Sequence, residues 1–425
     1  MHCYPRLSAQ SSVYGKIEQL LLVYPGDPRE ISREDILDRF GSLFEHLGDR
    51  VTYIILSNYS QPLDVSDYLE ARESFTKAFS HALLKSHLYP NHHTIHIPAP
   101  LTAPVQDLKD GEPHLNHSQF VQDPFVVMQT TNRESVLLES FRTLNPKNQM
   151  VAEQLAAATG MFIRPTEYWL EGGNILVGSD FALVGENLLH RNLELLFPGK
   201  NLEDETPGDS GRQTIKEAIT TNFKQLLGVR YLQWLGSTSG ILKKLKVDQG
   251  KHRLQPFFHL DHYLTLAGMS RDGDELVLVG KINFDHVVGF KEEFRADLSQ
   301  LNTLLDEVVS QLRKSGRVFP GPRFEFQTLP MGGSIEKEMD EKGKVIGHRF
   351  HPFSYNNAQV EWYHGVKRIY LPRYEQTETL EEEIMSDLVG KGFSPVRFIA
   401  HAFDHHAIQG GALHCMTKVL KRSIY

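Results

Sequence analysis

Four short stretches of this 425-residue sequence carry side chains that could act on one substrate. They are QDPFVV with Asp123, LEGGN with Glu171, FHLDHY with His259 and Asp261, and GGALHCMT with Cys415. A polar group that ends an apolar strand falls at the rim of a sheet, where loops and sites are built. The four stretches therefore predict a site, provided that the fold brings them together.

Each stretch also has a purely structural explanation. Asp123 precedes Pro124, an ordinary sequence for starting a turn, and EGG is a common turn composition. His259 and Asp261 are two residues apart, which puts their side chains on one side of a strand, and a surface ion pair would account for them equally well. A single cysteine such as Cys415 is more often a small buried residue than a nucleophile.

Together, the residue types favour attack by a thiol on a cationic carbon. A cysteine nucleophile needs a partner that favours its thiolate, and a histidine does this and also moves protons. Several carboxylates around a thiol raise its pKa, which makes attack on a neutral carbonyl unfavourable. A guanidinium substrate reverses that argument, because carboxylates grip its planar fork of N–H donors and its charge favours the thiolate.

The elements that position these residues alternate between short apolar runs and helical stretches. Residues 17–25 are predicted as a buried strand, 32–48 and 68–84 as helices, and 174–185 as a hairpin that turns at Ser179 and Asp180. FHLDHY and the sequence around Cys415 are predicted as strands. Strand, hairpin and helix recur without a strict repeat, so we predict an α/β fold. Two polar stretches, residues 197–213 and 334–348, are predicted as loop insertions, either solvated loops or lids.

The bulk composition narrows the function classes. A formal net charge of −8 argues against a generic polyanion binder, so no nucleic-acid partner is expected. Only Cys3 and Cys415 are present, which excludes a disulfide framework and fits a reducing compartment. The sequence lacks the pattern of a secretion signal and a run long enough to span a membrane. We therefore expect a cytoplasmic protein with no membrane partner.

In sequence order, the four stretches resemble the motifs of the guanidine-modifying superfamily of arginine, agmatine and peptidylarginine deiminases and amidinotransferases. The acid-bearing D, EGG, HxD and C-terminal GG..HC motifs of that family occur here in the same order, over residues 123–415. A fifth stretch, FSYNNAQV, is similar to the S-Y-x-N segment of bacterial peptidylarginine deiminases and agmatine deiminases and contributes Asn357.

The resemblance implies the pentein fold, an α/β propeller of five ββαβ-type units in a pseudo-fivefold arrangement around a central active site. It implies a single catalytic domain over residues 1–425. The partner would be a small-molecule or peptidyl guanidinium substrate, with neither a metal nor an organic cofactor. The oligomeric state is left open.

Carried over residue by residue, the resemblance assigns Cys415 as the nucleophile. His259 would protonate the departing ammonia and then activate water. Asp123 and Asp261 would grip the guanidinium nitrogens, and Glu171 would orient the histidine or support the substrate. The implied product is a ureido group, formed through a thiouronium intermediate on Cys415.

Three further residues complete the expected site. Asn357 would help to position it, and Gly410 and Gly411, which lack Cβ atoms, would let backbone and substrate approach the thiol. His414 is not expected to be the base, because adjacent strand residues face opposite sides.

Three alternatives stay open at this point. An amidinotransferase shares the nucleophile and the fold, but passes the amidino group to an amine. A metal-dependent hydrolase would use the ligand-rich FHLDH and HAFDHH sequences, although HExxH and CxxC spacings do not occur. An inactive guanidinium-binding relative is the third.

The sequence also departs from the family pattern. Gln122 precedes Asp123 where an arginine is frequent, Asn174 stands where arginine deiminases and amidinotransferases tend to have aspartate, and Ala412 follows the last glycine pair. These differences favour the bacterial peptidylarginine-deiminase-like branch and leave free arginine, agmatine, another guanidine or protein arginine as substrates. Free arginine would need a cation for its carboxylate, and the candidates are Arg164, Arg230, Arg323 and Arg373.

Overall fold

Two compact units make up the part of the chain that the structure, a computed structural model, describes. The described residues are 7–24, 33–48, 50–57, 94–98, 120–143, 151–198, 210–236, 242–249, 255–315 and 321–423. The His259 unit comprises Met1–Gly15, Gly173–Phe398 and Ala402–Leu413, and the Cys415 unit comprises Lys16–Gly172, Ile399–His401 and His414–Tyr425. Neither unit is one continuous segment of chain.

The described residues form strands and helices of very different lengths. The strands are β1 Ser8–Ala9, β2 Lys16–Tyr24, β3 Thr52–Ser57, β4 Thr94–Pro98, β5 Phe125–Gln129, β6 Ser135–Glu139, β7 Phe162–Pro165, β8 Ile175–Val177, β9 Phe181–Gly185, β10 Tyr231–Leu235, β11 Leu245–Lys246, β12 Leu264–Met269, β13 Glu275–Val288, β14 Phe324–Met339, β15 Val345–Phe353, β16 Gln359–Tyr363, β17 Val366–Arg373, β18 Phe393–Ala402 and β19 Thr417–Ser423. The helices are α1 Arg33–Leu47, α2 Val151–Thr159, α3 Glu186–Leu196, α4 Ser210–Leu227, α5 Arg295–Ser315, α6 Leu380–Gly390, α7 Asp404–Ile408 and α8 Leu413–Met416.

Two groups of paired strands organise the Cys415 unit. In the first, β2, β3 and β4 run parallel and β19 lies antiparallel to β2. In the second, β5 pairs antiparallel with β6, and β6 pairs parallel with β7. Apolar side chains from both groups and from α2 share one buried core, which includes Leu21, Ile54, Phe125, Leu137 and Leu155. This core supports the segments that carry Asp123 and Cys415, because Phe125 is in β5 and β19 directly follows α8.

The His259 unit is built on three sheets, of order β10-β9-β8, β11-β15-β14-β13-β12 and β16-β17-β18. The long strands β13 and β14 run parallel, and the connection between them contains α5. Buried leucines and valine recur along α5 every three or four residues, the spacing of an amphipathic helix. They are Leu298, Leu301, Leu304, Leu305, Val308 and Leu312.

Several predicted elements are confirmed. The helix predicted over 32–48 is α1, and the hairpin predicted over 174–185 is formed by β8 and β9 with its turn at Ser179 and Asp180. The helix predicted over 68–84 lies outside the described residues, as do residues 199–209 of the first predicted insertion. The second, 334–348, is a β-hairpin of β14 and β15 rather than an irregular loop, closed by a turn in which Lys344 N donates to Asp340 Oδ1 at 2.9 Å.

Two local predictions are wrong, and both concern site residues. FHLDHY is not a strand, because Leu260–His262 forms a 3-10 turn in which Tyr263 N donates to Leu260 O at 3.0 Å. Cys415 lies in the helix α8 rather than in a strand, so the strand argument that set His414 aside does not apply. In both cases a short apolar run precedes a true strand, and periodicity alone cannot separate a turn from a strand over so few residues.

The mixed α/β class is confirmed, with several small sheets in place of one large one. The pseudo-fivefold ring around a central site stays a prediction, as does the single domain over residues 1–425. Among the helices of the described part of the chain, none is long and apolar enough to cross a membrane.

Candidate functional site

Cys415 is held against the segment that carries Asp123. The thiol residue is 4% exposed and lies in α8, two residues before β19 begins at Thr417. Its carbonyl oxygen accepts a hydrogen bond of 3.2 Å from the backbone N–H of Gln122. Asp123, the next residue, is half-buried in the bend that leads into β5. The structure thus brings together two motifs that are almost 300 residues apart.

The EGG motif reaches the same place in the Cys415 unit. A Cβ atom built on Gly172 would lie 1.9 Å from the carbonyl oxygen of Gln122 and 2.7 Å from Lys418 Nζ, so only glycine fits there. Glu171 is buried, and its Oε1 accepts a hydrogen bond of 3.0 Å from Trp169 Nε1. The segments of Asp123, Glu171 and Cys415 therefore converge on the backbone of Gln122.

Two polar residues of this group were missed from the sequence. Lys418 is buried and donates a hydrogen bond of 2.8 Å to Gln122 O. Gln122 Nε2 lies 3.5 Å from His414 Nε2. The one available signal was the position of the two residues, since Gln122 directly precedes Asp123 and Lys418 follows Cys415 by three residues.

His259 is buried in the other unit, at the entrance to the 3-10 turn. It is 3% exposed, has an extended backbone, and its ring stacks on Phe258 with a centroid distance of 4.0 Å. Asp261 follows within the turn and is also buried. The side chains of His259 and Asp261 are therefore held close together by a 3-10 turn and not by their alternation along a strand.

Gly173 allows a close approach to both residues. A Cβ atom built on it would lie 2.6 Å from His259 Nδ1 and 3.2 Å from Asp261 Oδ1. Gly172 and Gly173 are consecutive, and the first belongs to the unit of Cys415 while the second belongs to the unit of His259. Each glycine of the EGG motif is thus required by a different group of candidate residues.

A network of buried amides fixes the backbone before His259. Gln255 Nε2 donates to Asn174 Oδ1 at 3.0 Å, and Gln255 Oε1 accepts from the backbone N–H of Asn187 at 3.0 Å. Asn174 Nδ2 donates to the carbonyl of Phe258 at 3.4 Å. This donated hydrogen bond accounts for Asn174, the residue that departs from the family pattern. An ionised aspartate at this position has no N–H group and could not donate to the carbonyl of Phe258.

Asn357 lies beside the turn that carries Asp261. It is buried, and its Nδ2 is 3.5 Å from the carbonyl oxygen of Asp261. Ser354 Oγ donates to the carbonyl of His262, and Tyr374 OH donates to Ser354 O at 3.0 Å. The FSYNNAQV segment thus supports the turn through its backbone.

A cavity of about 270 Å³ opens in the His259 unit. Its lining includes His262, Gly410 and ten other residues: Val247, Asp248, Phe257, Arg349, Phe350, His351, Pro352, Ala407, Ile408 and Gln409. A smaller cavity shares His262, Pro352 and Ala407 with it and is also lined by Asn357 and Gly411. Gly410 has φ +94°, a left-handed conformation that favours glycine. Both predicted glycines therefore lie at a cavity wall.

The charged groups of the larger cavity differ from those predicted. Arg349 lines it and makes two bonds to Glu338 Oε1, of 2.9 Å from Nε and 2.7 Å from Nη2. Asp248 is an exposed lining residue, and burial lowers the pKa of His351. The four arginines that were candidates for binding the carboxylate of free arginine are not among the lining residues of this cavity. Arg230 pairs with Asp180, Arg323 with Asp274 and Arg373 with Glu381, and Arg164 is exposed on β7.

His259, Asp261 and His262 have the donor types that a metal ion prefers. Their ligand atoms lie within 4.8 Å of one another, and two imidazoles with one carboxylate are a common zinc ligand set. The same imidazole of His259 is the group that acid–base chemistry on a substrate would use. The cluster can therefore serve either role, but not both at once.

Comparison with known proteins gives a likeness in structure. No family model matches the chain, and no curated protein matches its sequence. The solved structure of the agmatine deiminase of C. jejuni is similar over 100% of both chains, with 14% identity and a TM-score of 0.56. A cysteine-to-serine variant of that enzyme with substrate bound is similar over 100% of this chain and 99% of that one, with 13% identity and a TM-score of 0.57.

The agmatine deiminase of Enterococcus faecalis is similar over 98% of this chain and 97% of that one, with 12% identity and a TM-score of 0.56. The likeness that the motifs led us to expect is therefore confirmed at the level of the fold: this chain has the mixed α/β fold of solved agmatine deiminases.

Proposed function

We propose that this protein is a cysteine-dependent guanidinium hydrolase, a deiminase that converts a guanidinium to a ureido group and ammonia. The observation that carries the proposal is the convergence of the Asp123, Glu171 and Cys415 segments on the backbone of Gln122. Nothing in ordinary packing requires an acid-bearing bend, an EGG turn and the chain's one described cysteine to meet. A shared task for their side chains would account for it.

In the proposed first step, Cys415 Sγ attacks the guanidinium carbon as a thiolate. The bond from that carbon to one terminal nitrogen breaks, and His259 gives the leaving nitrogen a proton so that it departs as ammonia. Asp123 and Asp261 hold the remaining N–H groups, which fixes the planar group for attack. The product of this step is a thiouronium on Cys415.

In the second step, water replaces the thiol. His259, now without its proton, takes one from water, and the resulting hydroxide adds to the thiouronium carbon. The Sγ–C bond breaks, the thiol is restored and a ureido product leaves. Glu171 would orient the histidine or support the substrate, and Asn357 would hold the turn that carries Asp261.

Charge supports a cationic substrate. Asp123, Glu171 and Asp261 supply up to three negative charges, and the last two are buried. Buried carboxylates are costly unless a cation or hydrogen bonds compensate them. A guanidinium provides both the opposite charge and a set of N–H donors, so it matches these acids better than a neutral substrate does.

The cavity of the His259 unit is our proposal for the place of the substrate's carbon chain. Its walls include Val247, Phe257 and Ile408, which suit methylene groups, and Asp248 and Arg349 supply charge for the far end. Since the fold is shared with solved agmatine deiminases, agmatine is the first substrate to test.

The test is a colorimetric assay for ureido product across agmatine, free arginine, an arginine blocked at both ends and an arginine-rich protein. We expect product and equimolar ammonia from at least one of these in buffer without added amine. Turnover that appears only after an amine acceptor is added would replace the deiminase with an amidinotransferase. No ureido or amidino product from any substrate contradicts the proposal.

A further inference from the structure

Lys418 is a charged side chain in a place where the fold offers apolar neighbours. It is 5% exposed and lies on β19, paired in register with Leu21 of β2. Its strand neighbours Thr417 and Val419 are buried too. Taking an ammonium group out of water costs several kcal/mol unless hydrogen bonds and charges compensate it. A lysine at this position therefore calls for an explanation beyond packing.

The ammonium group contacts two segments that belong to the proposed site. Nζ donates to the carbonyl of Gln122 at 2.8 Å and lies 5.3 Å from the centroid of the Phe125 ring. These two residues flank Asp123 in the sequence. Charge-assisted hydrogen bonds are stronger than neutral ones, so this contact holds the acid-bearing bend firmly.

Gln122 passes this restraint to the nucleophile. While its carbonyl accepts from Lys418, its N–H donates to the carbonyl of Cys415 at 3.2 Å. The absence of a side chain at Gly172 leaves the space in which Lys418 Nζ and the Gln122 carbonyl meet. One buried amine is thus connected, through the backbone of one residue, to all three motifs of the Cys415 unit.

We propose that Lys418 is a positioning residue of the nucleophile, one that holds Cys415 and the Asp123 bend in working register through the backbone of Gln122. The inference rests on the proposed function, because Lys418 can position a nucleophile only if Cys415 is one. Lys418 also belongs to the unit that holds Asp123, Glu171 and the thiol of Cys415. Lys418 supplies a positive charge before any substrate arrives.

The experiment measures the reactivity of Cys415 itself. Cys3→Ser leaves Cys415 as the only thiol, and the rate of its alkylation by iodoacetamide is followed from pH 5 to 10. Three variants are compared in that background: K418M removes the charge and the donor, K418Q keeps a donor without charge, and K418R keeps both. Agmatine turnover and thermal unfolding are recorded for each.

We expect the midpoint of the alkylation profile to rise by about one pH unit in K418M, by less in K418Q, which keeps a donor to Gln122, and not in K418R, because a cation in the same unit favours the thiolate. We expect kcat to fall roughly 10- to 100-fold in K418M with KM within about threefold, as for a misplaced catalytic group. Ser135→Ala is the matched control, since Ser135 Oγ donates to Leu420 O at 2.8 Å on the same strand. It should lower the unfolding temperature and leave the alkylation profile and kcat unchanged.

An alkylation profile in folded K418M or K418Q that coincides with that of the parent would overturn the proposal. So would equal changes in profile for S135A and K418M. If K418M does not fold, the comparison of K418Q with K418R decides. A parent protein that turns over no guanidine would sink the proposed function alone, because the alkylation profiles need no substrate.

Discussion

The two groups of candidate residues are held in place by different means. In the Cys415 unit, main-chain hydrogen bonds and a buried lysine join the segments, with Gln122 at the centre. In the His259 unit, side-chain amides such as Gln255 and Asn174 fix a 3-10 turn, and a tight glycine contact limits the histidine ring. The nucleophile is thus positioned by backbone hydrogen bonds and one buried amine, whereas the acid–base group is positioned mainly by side-chain amides.

The largest expected effects are losses of kcat in variants of the proposed nucleophile, Cys415, and of the proposed acid–base group, His259. Cys415→Ala should lower kcat by roughly 10⁴-fold or more, since no covalent intermediate can form. His259→Ala should lower it by roughly 10²- to 10⁴-fold and should accumulate the thiouronium adduct, because its second task is to activate water. Intact-protein mass spectrometry after mixing with agmatine measures the adduct.

His405→Ala is the control for that pair, since His405 is an exposed histidine of the same unit as His259. It should behave as the parent protein does. Full activity in C415A would contradict the mechanism, and a larger adduct population in H405A than in H259A would contradict the role of His259.

Substitution of each glycine of the EGG motif tests one of the two units, because Gly172 belongs to the Cys415 unit and Gly173 to the His259 unit. Gly172→Ala puts a Cβ atom 1.9 Å from a backbone carbonyl, which cannot move away easily, so we expect a loss of stability of about 2–3 kcal/mol. Gly173→Ala meets the His259 ring at 2.6 Å, and a side chain can turn aside. We expect a stability loss of about 1 kcal/mol there, with kcat lowered roughly 100-fold.

Denaturant unfolding and steady-state kinetics measure the two outcomes. Gly390→Ala serves as control, because a Cβ atom on Gly390 would have nothing within 4 Å and its φ is not left-handed. The comparison fails if G173A costs more stability than G172A while kcat is retained.

The cavity predicts a division between binding and turnover. Asp248→Asn should raise KM roughly 10-fold for a substrate with a distal ammonium, and Arg349→Gln should do so for one with a distal carboxylate, with kcat little changed. Lys246, which lies 2.5 Å from Glu338, keeps that carboxylate paired when Arg349 is replaced. Assays with agmatine and free arginine check both, and unchanged KM values in both variants would place the substrate chain elsewhere.

The smallest expected effect is a pH dependence of stability in the Cys415 unit. Burial, and then the nearby Glu153, raise the pKa of Glu139 to about 7, against an ordinary value of 4.5. The folded protein therefore holds a proton that the unfolded chain releases. The contribution to stability is fully present below pH 4.5 and is lost as the pH rises through about 7.

Glu139→Gln should remove this dependence. Allowing for screening by solvent, we expect the variant to be more stable than the parent by about 1 kcal/mol at pH 8 and equal to it at pH 4.5. Glu134→Gln, an exposed acid of the same hairpin, is the control and should show no such difference. Chemical denaturation at the two pH values measures it; a variant that is less stable than the parent at pH 8 would reverse the assignment.

Much of the fold was predictable where a pattern runs over many residues. The α5 helix and the β8–β9 hairpin follow from leucine periodicity and from a turn between two apolar runs. Local geometry at the site was not predictable, because Leu260–His262 and Leu413–Met416 are single turns of three and four residues. Such turns are decided by hydrogen bonds to distant segments, such as the one from Gln122 to Cys415, which no sequence window contains.

The sequence by itself determined which residue types are available to this protein: a thiol, a histidine, three acids and their glycines, in an order that resembles one superfamily. Only the tertiary structure decided how they are held. It placed Cys415 on a helix against Gln122, required glycine at 172 and 173 for separate reasons, and buried Lys418 beside Gln122 and Gly172. The physical reason is that close approach and burial depend on the positions of atoms that are far apart along the chain, whereas composition and order are properties of the chain alone.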